Sequence, residues 1–223
     1  GIVQLVRYIV FLTLGIEFVG ALVLAWSFGQ HMPFGEALFN GVFHAVSAFN
    51  NAGFDLFTTS LITYNTNPVV LSCVMLLLTI GGMGVLVWLN IINHGWQVAK
   101  WSLHSKIVML TSALLLVLGS LLVFVFEYHA PAFADFTLGE KILNSIFQSV
   151  TPRTAGFFSV TMTSLTTATI VLMMVLMFIG ASPGSTGGGI KTTTFALAVL
   201  TVSNVLRGRN EIHVGHRTVT APL

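Results

Sequence analysis

Two short stretches of the sequence end in the same Ala-Gly-Phe triplet, NNAGF at 50–54 and RTAGF at 153–157. Each follows a short apolar segment, so an extended backbone can leave the end of a helix at this point. Carbonyl oxygens aimed at an axis from such a backbone can replace the hydration shell of a cation. Glycine suits this backbone because aligned carbonyls require angles that a Cβ atom disfavours. The two stretches therefore predict cation coordination by backbone carbonyls, with no need for a carboxylate ligand.

The stretch SPGSTGGGIKT at 182–192 suggests a second kind of chemistry, because it nearly spells a phosphate-binding loop. That motif requires Gly, Lys and Ser or Thr in direct succession, between a strand and a helix. Here Ile190 separates Gly189 from Lys191, and an apolar helical pattern precedes the loop. A nucleotide-hydrolysing membrane enzyme is therefore a disfavoured alternative, which ATP binding by the chain would support. A simple helix kink is another alternative, and we favour a flexible loop inside the membrane that limits ion flow.

The composition indicates which kind of element must position these residues. Of the 223 residues, 7% are charged and 55% are hydrophobic, whereas soluble domains carry about 25% charged residues. So few charges exclude a soluble enzyme, a disordered tail and a nucleic-acid-binding protein, which needs a basic face. The single cysteine, Cys73, offers no disulfide framework. The chain is therefore predicted to be an all-α integral membrane protein.

Apolar stretches of two lengths predict the membrane topology. A spanning helix needs about 20 apolar residues, and the stretches that meet this requirement are 9–28, 69–92 and 107–126. A fourth stretch, 165–205, is too long for one span, and its Gly-rich middle at 182–189 disfavours a continuous helix. The stretches 35–49 and 139–150 are too short to span and suit re-entrant segments. The sequence therefore predicts four crossings and two re-entrant segments.

The pattern of span, re-entrant segment and span occurs twice. FGEALFNGVF at 34–43 aligns with LGEKILNSIF at 138–147, with Gly, Glu, Asn and Phe in the same register. The Ala-Gly-Phe triplets follow in both copies, after a deletion of one residue in the second copy. Both copies cross the membrane in the same direction, and parallel repeats of this kind are related by an axis along the membrane normal. A pore on that axis is the expected arrangement.

Charged residues predict the orientation, because Lys and Arg are enriched in cytoplasmic loops. The N-terminus, the second connection and the C-terminal tail contain the bases Arg7, Lys100, Lys106, Arg207, Arg209 and Arg217. The opposite side contains mainly acids, which are Glu36, Asp55, Glu127, Asp135 and Glu140, and one loop base, Lys141. The re-entrant segments are therefore expected to open to the outside.

Three motifs occur in a distinctive order, SAFNNAGF at 47–54, TPRTAGF at 151–157 and GASPGSTGGGIKTTTF at 180–195. Together they resemble the Trk/Ktr/HKT superfamily of potassium uptake proteins, and most closely the bacterial Ktr membrane subunit. Members of that superfamily arrange four helix–pore-helix–helix repeats around a single pore like that of a K⁺ channel. The resemblance covers essentially the whole chain and places it on the second and third repeats. The chain is therefore expected to be part of a longer protein, or to combine with a second copy.

The resemblance assigns residues to a selectivity filter and to a gating loop under it. The implied filter residues, with K⁺ at their backbone carbonyls, are Asn50, Asn51, Ala52, Gly53, Arg153, Thr154, Ala155 and Gly156. The implied gating loop, which breaks the inner helix of the third repeat, consists of Gly180, Ala181, Ser182, Pro183, Gly184, Ser185, Thr186, Gly187, Gly188, Gly189 and Lys191. Gly53 and Gly156 match the filter glycines of the family. Serine at that position in the first repeat of plant relatives implies Na⁺ permeation, but the resemblance places this chain on the second and third repeats.

The same resemblance implies a division of the chain and a mode of action. The divisions are a pore repeat at 1–92, a cytoplasmic connection at 93–106, a pore repeat at 107–206 with its gating loop at 180–191, and a cytoplasmic tail at 207–223. K⁺ would be conducted inward down its electrochemical gradient, with no covalent chemistry, and Na⁺ stimulates some such systems. A Na⁺-permeable relative and a non-conducting membrane scaffold are the alternatives.

The resemblance also implies partners. The expected assembly is a homodimer in the bacterial inner membrane, surrounded by lipid. An RCK-type regulatory ring of the KtrA/TrkA kind is expected to bind the cytoplasmic face, and nucleotide is expected to act only through that ring. The connection at 93–106 and the tail from Arg207 to Arg217 are the available contacts.

Four polar residues at or within the membrane carry individual predictions. Glu17, in mid-span, is a candidate for a functional role because acids inside a membrane are costly, and the favoured alternative is a hydrogen bond to a neighbouring repeat. Arg153 is expected to form an ion pair that holds its loop, and Lys191 is expected either to repel permeating ions or to reach the cytoplasmic interface. His44 aligns with Gln148, which favours a hydrogen-bonding role over metal binding. The histidines without the spacing of a metal site include His94, His104, His213 and His216.

Overall fold

The computed structural model describes residues 2–206, 212–214 and 217–219, which form eight α-helices and one short β-hairpin. The helices are α1 (Ile2–Phe28), α2 (Phe34–Phe49), α3 (Pro68–Met83), α4 (Val85–His94), α5 (Leu103–Glu127), α6 (Leu138–Val150), α7 (Thr167–Phe178) and α8 (Thr192–Leu206). Short 3-10 helices lie between them at Ile62–Tyr64, Val98–Lys100, Pro131–Phe133 and Met162–Ser164. In the hairpin, β1 (Ile212–Val214) pairs antiparallel with β2 (Arg217–Val219).

The hairpin is the described part of the predicted tail at 207–223. His213 lies in β1 and Arg217 in β2. Arg207, Arg209 and His216 lie outside the described residues.

The prediction of an all-α membrane protein with two short re-entrant helices is confirmed. α1 and α5 are long and apolar enough to cross a membrane, and they cover two of the stretches that were predicted to span. α2 and α6 contain 16 and 13 residues and correspond to the predicted re-entrant segments. α7 has 12 residues, and the Gly-rich stretch separates it from α8, as the broken fourth crossing requires.

The stretch at 69–92 that was predicted to span forms two helices, α3 and α4, with a bend of 95° between them. The bend lies at Gly84, whose φ of 86° and ψ of 151° belong to a region that essentially only glycine occupies. The carbonyl oxygen of Pro183 lies 2.5 Å from the position that a Cβ atom on Gly84 would take. α3 therefore ends where the Gly-rich stretch packs against it. That stretch belongs to the later of the two repeats in this chain, which are called the first and second repeats from here on.

Local sequence explains where the two short helices begin. Thr137 caps α6, because its side chain accepts from the Glu140 N–H while the Glu140 carboxylate accepts from the Thr137 N–H at 2.7 Å. This capping box satisfies donors that the first turn of a helix leaves unpaired. α2 begins after Pro33 and buries small residues such as Ala37 and Ala45. These small side chains let α2 pack closely against α1 and α3.

Within each repeat, a matching hydrogen bond joins the two helices that flank the re-entrant segment at one end. The N-cap residue of α3, Asn67, donates to the hydroxyl of Ser27 near the end of α1 at 3.0 Å. The N-cap residue of α7, Thr166, donates to the carboxylate of Glu127 at the end of α5 at 2.7 Å. In both repeats, therefore, the start of the helix after the re-entrant segment is tied to the end of the helix before it.

Large apolar side chains remain exposed on the long helices and on α7. They include Val3, Phe11, Phe18, Leu110, Val117, Leu121, Val171, Met174 and Phe178. Exposed apolar surface of this extent marks contact with a membrane or with other protein segments. The arrangement suits transmembrane helices that contact lipid and further helices.

Candidate functional site

The two Ala-Gly-Phe stretches lie against each other, although they are far apart in the sequence. A Cβ atom added at Gly53 would collide with the carbonyl oxygen of Ala155, so the approach requires glycine. Gly53 and Gly156 have φ angles of 72° and 96°, which residues with a Cβ atom rarely adopt. Residues 50–53 and 153–156 are hereafter the first and second filter segments, named for the role predicted from the sequence.

Each filter segment is tied back to its short helix by the same two hydrogen bonds. The Ser47 hydroxyl donates to the Phe54 carbonyl, and the Thr151 hydroxyl donates to the Phe157 carbonyl, both at 2.5 Å. The alanine N–H of each segment donates to the backbone carbonyl of the same hydroxyl residue, at 2.9 Å in the first repeat and 3.1 Å in the second. No local motif marks these hydroxyls in the sequence, but their matching positions in the two repeats are a signal that could have identified them.

The residue before each alanine has a backbone conformation that is unusual for its type. Asn51 has a φ of 52° and Thr154 a φ of 113°. Positive φ is uncommon outside glycine, and it is an outlier for a β-branched residue. The Asn51 amide turns inward and donates to the Thr186 hydroxyl at 2.9 Å and to the Leu78 carbonyl at 3.4 Å. The amide nitrogen of Asn51 is therefore engaged by α3 and by the Gly-rich stretch.

Asn50 connects the first filter segment to the mid-span acid Glu17. The Asn50 amide donates to a Glu17 carboxylate oxygen at 2.8 Å and to the Val46 carbonyl at 2.9 Å. Glu17 was predicted to bond to a neighbouring repeat, whereas its partner among the described residues, Asn50, belongs to the same repeat. An acid inside a membrane is costly without such a partner.

The predicted ion pair of Arg153 is also wrong for the part of the chain that the structure describes. Its guanidinium donates to the Ser112 hydroxyl in α5 at 3.4 Å, and its Nε is buried without a partner among the described residues. Arg153 lines a cavity of about 170 Å³ with residues of α3 and α5, including Thr79 and Met109. The side chain therefore links the second filter segment to α5 rather than to an acid.

α2 and α6 both end at a filter segment, so their last carbonyls lie next to it. Neither helix has a basic residue in its last turn. The partial negative charge of each helix C-terminus is therefore not neutralised from within the helix, and it favours a cation. Within the described ranges, no group of three His, Cys, Asp or Glu residues could hold a metal ion. The chemistry offered to a cation here consists of backbone carbonyls and helix ends.

His44, in α2, lies in an aromatic cluster. Its Nδ1 lies 2.7 Å from the Asn40 carbonyl oxygen, and its ring stacks on Phe57 with the centroids 4.6 Å apart. Phe28 and Tyr64 complete the cluster, with their centroids 4.9 Å apart, and burial raises the pKa of Tyr64 above its usual range. The predicted hydrogen-bonding role of His44 is confirmed.

The Gly-rich loop, residues 180–191, folds back on itself. The N–H groups of Gly180 and Ala181 donate to carbonyls at the other end of the loop, both at 3.0 Å. The Lys191 ammonium donates to the Gly187 carbonyl at 2.7 Å. Lys191 therefore stabilises the backbone of the loop, a role that neither of its two predictions included.

Backbone hydrogen bonds hold the Gly-rich loop on the bend between α3 and α4. Ser182 and Thr186 donate their N–H groups to carbonyls in the last turn of α3, at 3.0 and 3.3 Å. In the other direction, the N–H of Val85, the first residue of α4, donates to the Gly184 carbonyl at 3.1 Å. These groups belong to helix ends, which have no partners within the helix. The loop that was predicted to be flexible is thus held in place by the first repeat.

Comparison with known proteins identifies the family. The family model of TrkH, described as a cation transport protein, matches residues 1–220. The chain belongs to the TrkH family. Membership of the TrkH family agrees with the resemblance seen in the sequence, and it identifies a family of transporters rather than of enzymes.

Two bacterial uptake proteins are among the curated relatives of this TrkH-family chain. The chain is 36% identical over 219 residues to the potassium/sodium uptake protein NtpJ of Enterococcus hirae, covering 98% of the chain and 48% of that protein. It is 36% identical over 228 residues to the Ktr system potassium uptake protein B of Bacillus subtilis, covering 100% of the chain and 50% of that protein. The chain spans about half the length of these relatives.

A solved structure of a TrkH-family protein has a similar fold. The crystal structure of the potassium transporter TrkH from Vibrio parahaemolyticus matches with a TM-score of 0.77 and covers 96% of this chain and 45% of that chain. The sequence identity is 21%, so this similarity concerns the fold. It supports the K⁺-channel-like arrangement of helices.

Proposed function

We propose that the chain supplies two pore repeats of a potassium uptake protein, which conducts K⁺ inward through the two filter segments. The repeats are residues 1–92 and 107–206, with a cytoplasmic connection at 93–106 and a cytoplasmic tail at 207–223. The observation that carries the proposal is the close approach of Gly53 to the Ala155 carbonyl, between two segments that are anchored in the same way. Carbonyls held in fixed positions replace the hydration shell of a permeating ion.

K⁺ is the proposed cargo, and Na⁺ is the alternative. One relative is named as a potassium/sodium uptake protein and the other as a potassium uptake protein. The filter segments contain no acid. A site of neutral carbonyls is suited to a large monovalent ion that gives up its water readily, which favours K⁺ over Na⁺.

The Gly-rich loop is proposed to gate the pore from within the membrane. It lies against the second filter segment, because a Cβ atom on Gly187 would come within 2.7 Å of the Thr154 hydroxyl oxygen. Broken helices of transporters lie at the ion path, and small residues let this loop fit a narrow space. Opening would require release of its hydrogen bonds to α3 and α4.

Two repeats supply half of a four-part ring, so further repeats complete the proposed pore. The proposed assembly is a homodimer in the bacterial inner membrane, surrounded by lipid, with an RCK-type nucleotide-binding ring on the cytoplasmic side. The connection at 93–106 is the proposed contact for that ring, because Trp96 is 79% exposed there and Lys100 and Lys106 give it positive charge. Nucleotide would then act through the ring and not through the Gly-rich loop.

Growth of cells that lack their own K⁺ uptake tests the proposal. The complete transporter should restore growth at limiting K⁺, and Gly53→Ser should reduce the rescue because a side chain there collides with the Ala155 carbonyl. Gly139→Ser is the matched control, since a Cβ atom at Gly139 meets nothing within 4 Å. Equal rescue by wild type and Gly53→Ser would count against the filter assignment.

A further inference from the structure

We infer that Thr186 and Gly187 of the Gly-rich loop hold both filter segments in their ion-selective shape, which makes Thr186 a positioning residue for ion selectivity. The inference rests on the proposed function, because it adds a second role for the loop at the same pore. In this role the loop shapes the filter as well as obstructing the path next to it.

Equivalent residues of the two filter segments meet consecutive residues of the loop. Asn51 and Thr154 each precede the alanine of their segment, and both have positive φ angles. Asn51 donates a hydrogen bond to Thr186, and Thr154 lies against Gly187. One turn of the loop therefore contacts the same position in both repeats.

The Thr186 hydroxyl acts both as acceptor and as donor at the end of α2. It accepts from the Asn51 amide at 2.9 Å and donates to the Phe49 carbonyl at 3.0 Å. Phe49 is the last residue of α2, and the last carbonyls of a helix have no partner within the helix. The Thr186 N–H donates to the Gly81 carbonyl at 3.3 Å, which fixes the hydroxyl relative to α3. A single residue thus connects the first filter segment, α2 and α3, through its hydroxyl and its backbone N–H.

Gly187 is held against the second filter segment. The space that a side chain at this position would need is occupied by the Ala181 methyl group and by the Thr154 hydroxyl, whose oxygen is 2.7 Å away. The Lys191 ammonium donates to the Gly187 carbonyl. The loop backbone is therefore fixed at the point where it contacts Thr154.

These contacts explain why two residues with side chains keep positive φ angles. Unfavourable backbone conformations persist only where the surrounding structure over-determines them. Release of Thr186 and Gly187 lets Asn51 and Thr154 relax, which rotates the carbonyls of both filter segments. Displacement of the loop should therefore alter ion preference and not only the rate of flow.

The test compares Thr186→Val with Thr186→Ser in the complete transporter. Valine removes both hydrogen bonds with little change in shape, whereas serine retains the hydroxyl. Uptake of K⁺ and Na⁺ is measured against ion concentration in cells that lack their own K⁺ uptake. We expect Thr186→Val to raise the KM for K⁺ and the Na⁺/K⁺ uptake ratio by at least about fivefold, because one typical hydrogen bond corresponds to that factor and valine removes two. Thr186→Ser should match the wild type.

Two further variants separate this role from a general loss of stability. Thr201→Val removes a hydroxyl that donates within α8, to the Leu197 carbonyl at 2.8 Å. This variant should change neither the KM for K⁺ nor the Na⁺/K⁺ uptake ratio. Gly187→Ala retains every hydrogen-bonding group but pushes against Thr154. It should raise the Na⁺/K⁺ ratio even if Thr186→Val accumulates poorly in the membrane.

The outcomes distinguish the inference from the proposed function. Faster uptake with unchanged KM and unchanged Na⁺/K⁺ ratio in Thr186→Val and Gly187→Ala would overturn the inference, because the loop would then act only as an obstruction. Absence of K⁺ uptake by the wild-type transporter would instead overturn the proposed function.

Discussion

At the scale of single residues, the hydroxyls of Ser47 and Thr151 set the path of the chain after each filter segment. Both donate to the carbonyl of the phenylalanine that follows the filter glycine. A carbonyl that accepts this bond is not free to coordinate an ion, so each proposed row of coordinating carbonyls ends at a defined residue. The matching hydroxyl position therefore holds the same phenylalanine carbonyl in both repeats, although the second repeat is one residue shorter in between.

Removal of either hydroxyl should weaken K⁺ binding. Ser47→Ala and Thr151→Val each lose one hydrogen bond of about 1 kcal/mol, so each should raise the KM for K⁺ uptake about fivefold. Ser145→Ala is the control, because that hydroxyl donates within its own helix, to the Lys141 carbonyl at 2.7 Å. Identical KM values for all three variants would show that the hydroxyls do not shape the filter.

The glycines of the filter segments could be predicted from the sequence because each lies in a local motif that occurs twice. The bond between Asn51 and Thr186 could not be predicted, since these residues are 135 positions apart and no local pattern marks the pair. The partner of Glu17 was missed for a related reason. A carboxylate in an apolar run indicates that a partner exists, but not which residue it is.

At the scale of elements, the bend between α3 and α4 depends on both repeats. Gly84 supplies the backbone conformation, and the Gly-rich loop accepts a hydrogen bond from the first N–H of α4. The apolar run at 69–92 contains no proline, and its glycines Gly81, Gly82 and Gly84 occur within spanning helices as well as at helix breaks. The bend was not predictable from it, because the groups that satisfy the broken helix belong to residues about a hundred positions later in the chain.

Alanine at Gly84 should loosen the contact between the bend and the loop. A Cβ atom would be strained at this φ, at a cost of about 1–3 kcal/mol, and would also press on the Pro183 carbonyl 2.5 Å away. The expected result is a lower midpoint of thermal unfolding in detergent, together with faster K⁺ uptake.

Gly95→Ala is the matched control for Gly84→Ala. Gly95 also has a positive φ, of 55°, but a Cβ atom there meets nothing within 4 Å. Gly95→Ala should therefore show the effect of backbone strain without faster K⁺ uptake. Equal uptake in the two variants would contradict the role assigned to the bend.

At the scale of the whole molecule, the few charges and the exposed apolar faces agree with one orientation in the membrane. The bases Lys100 and Lys106 lie in the connection after α4, whereas Asp55, Asp135 and Glu140 lie around the ends of the re-entrant segments. Because lysine and arginine are enriched on the cytoplasmic side, the filter segments should open to the outside.

Labelling of introduced cysteines tests this orientation. In a Cys73→Ser background, Gln97→Cys should react with a membrane-impermeant thiol reagent only from the cytoplasmic side. Asp135→Cys, at an exposed position near the start of α6, should react only from the outside. The reverse pattern would contradict the orientation inferred from the charges. The connection at 93–106 would then lie outside, where it could not bind the proposed cytoplasmic ring.

The most direct test of the account is ion flux through the purified, complete transporter in liposomes. Wild-type protein should carry K⁺ down an imposed gradient in preference to Na⁺. Gly53→Ser and Gly156→Ser should each reduce that preference at least about tenfold, since displacing a coordinating backbone costs more than a single hydrogen bond of about 1 kcal/mol. Wild-type preference for K⁺ retained in both glycine variants would contradict the assignment of residues 50–53 and 153–156 as the filter.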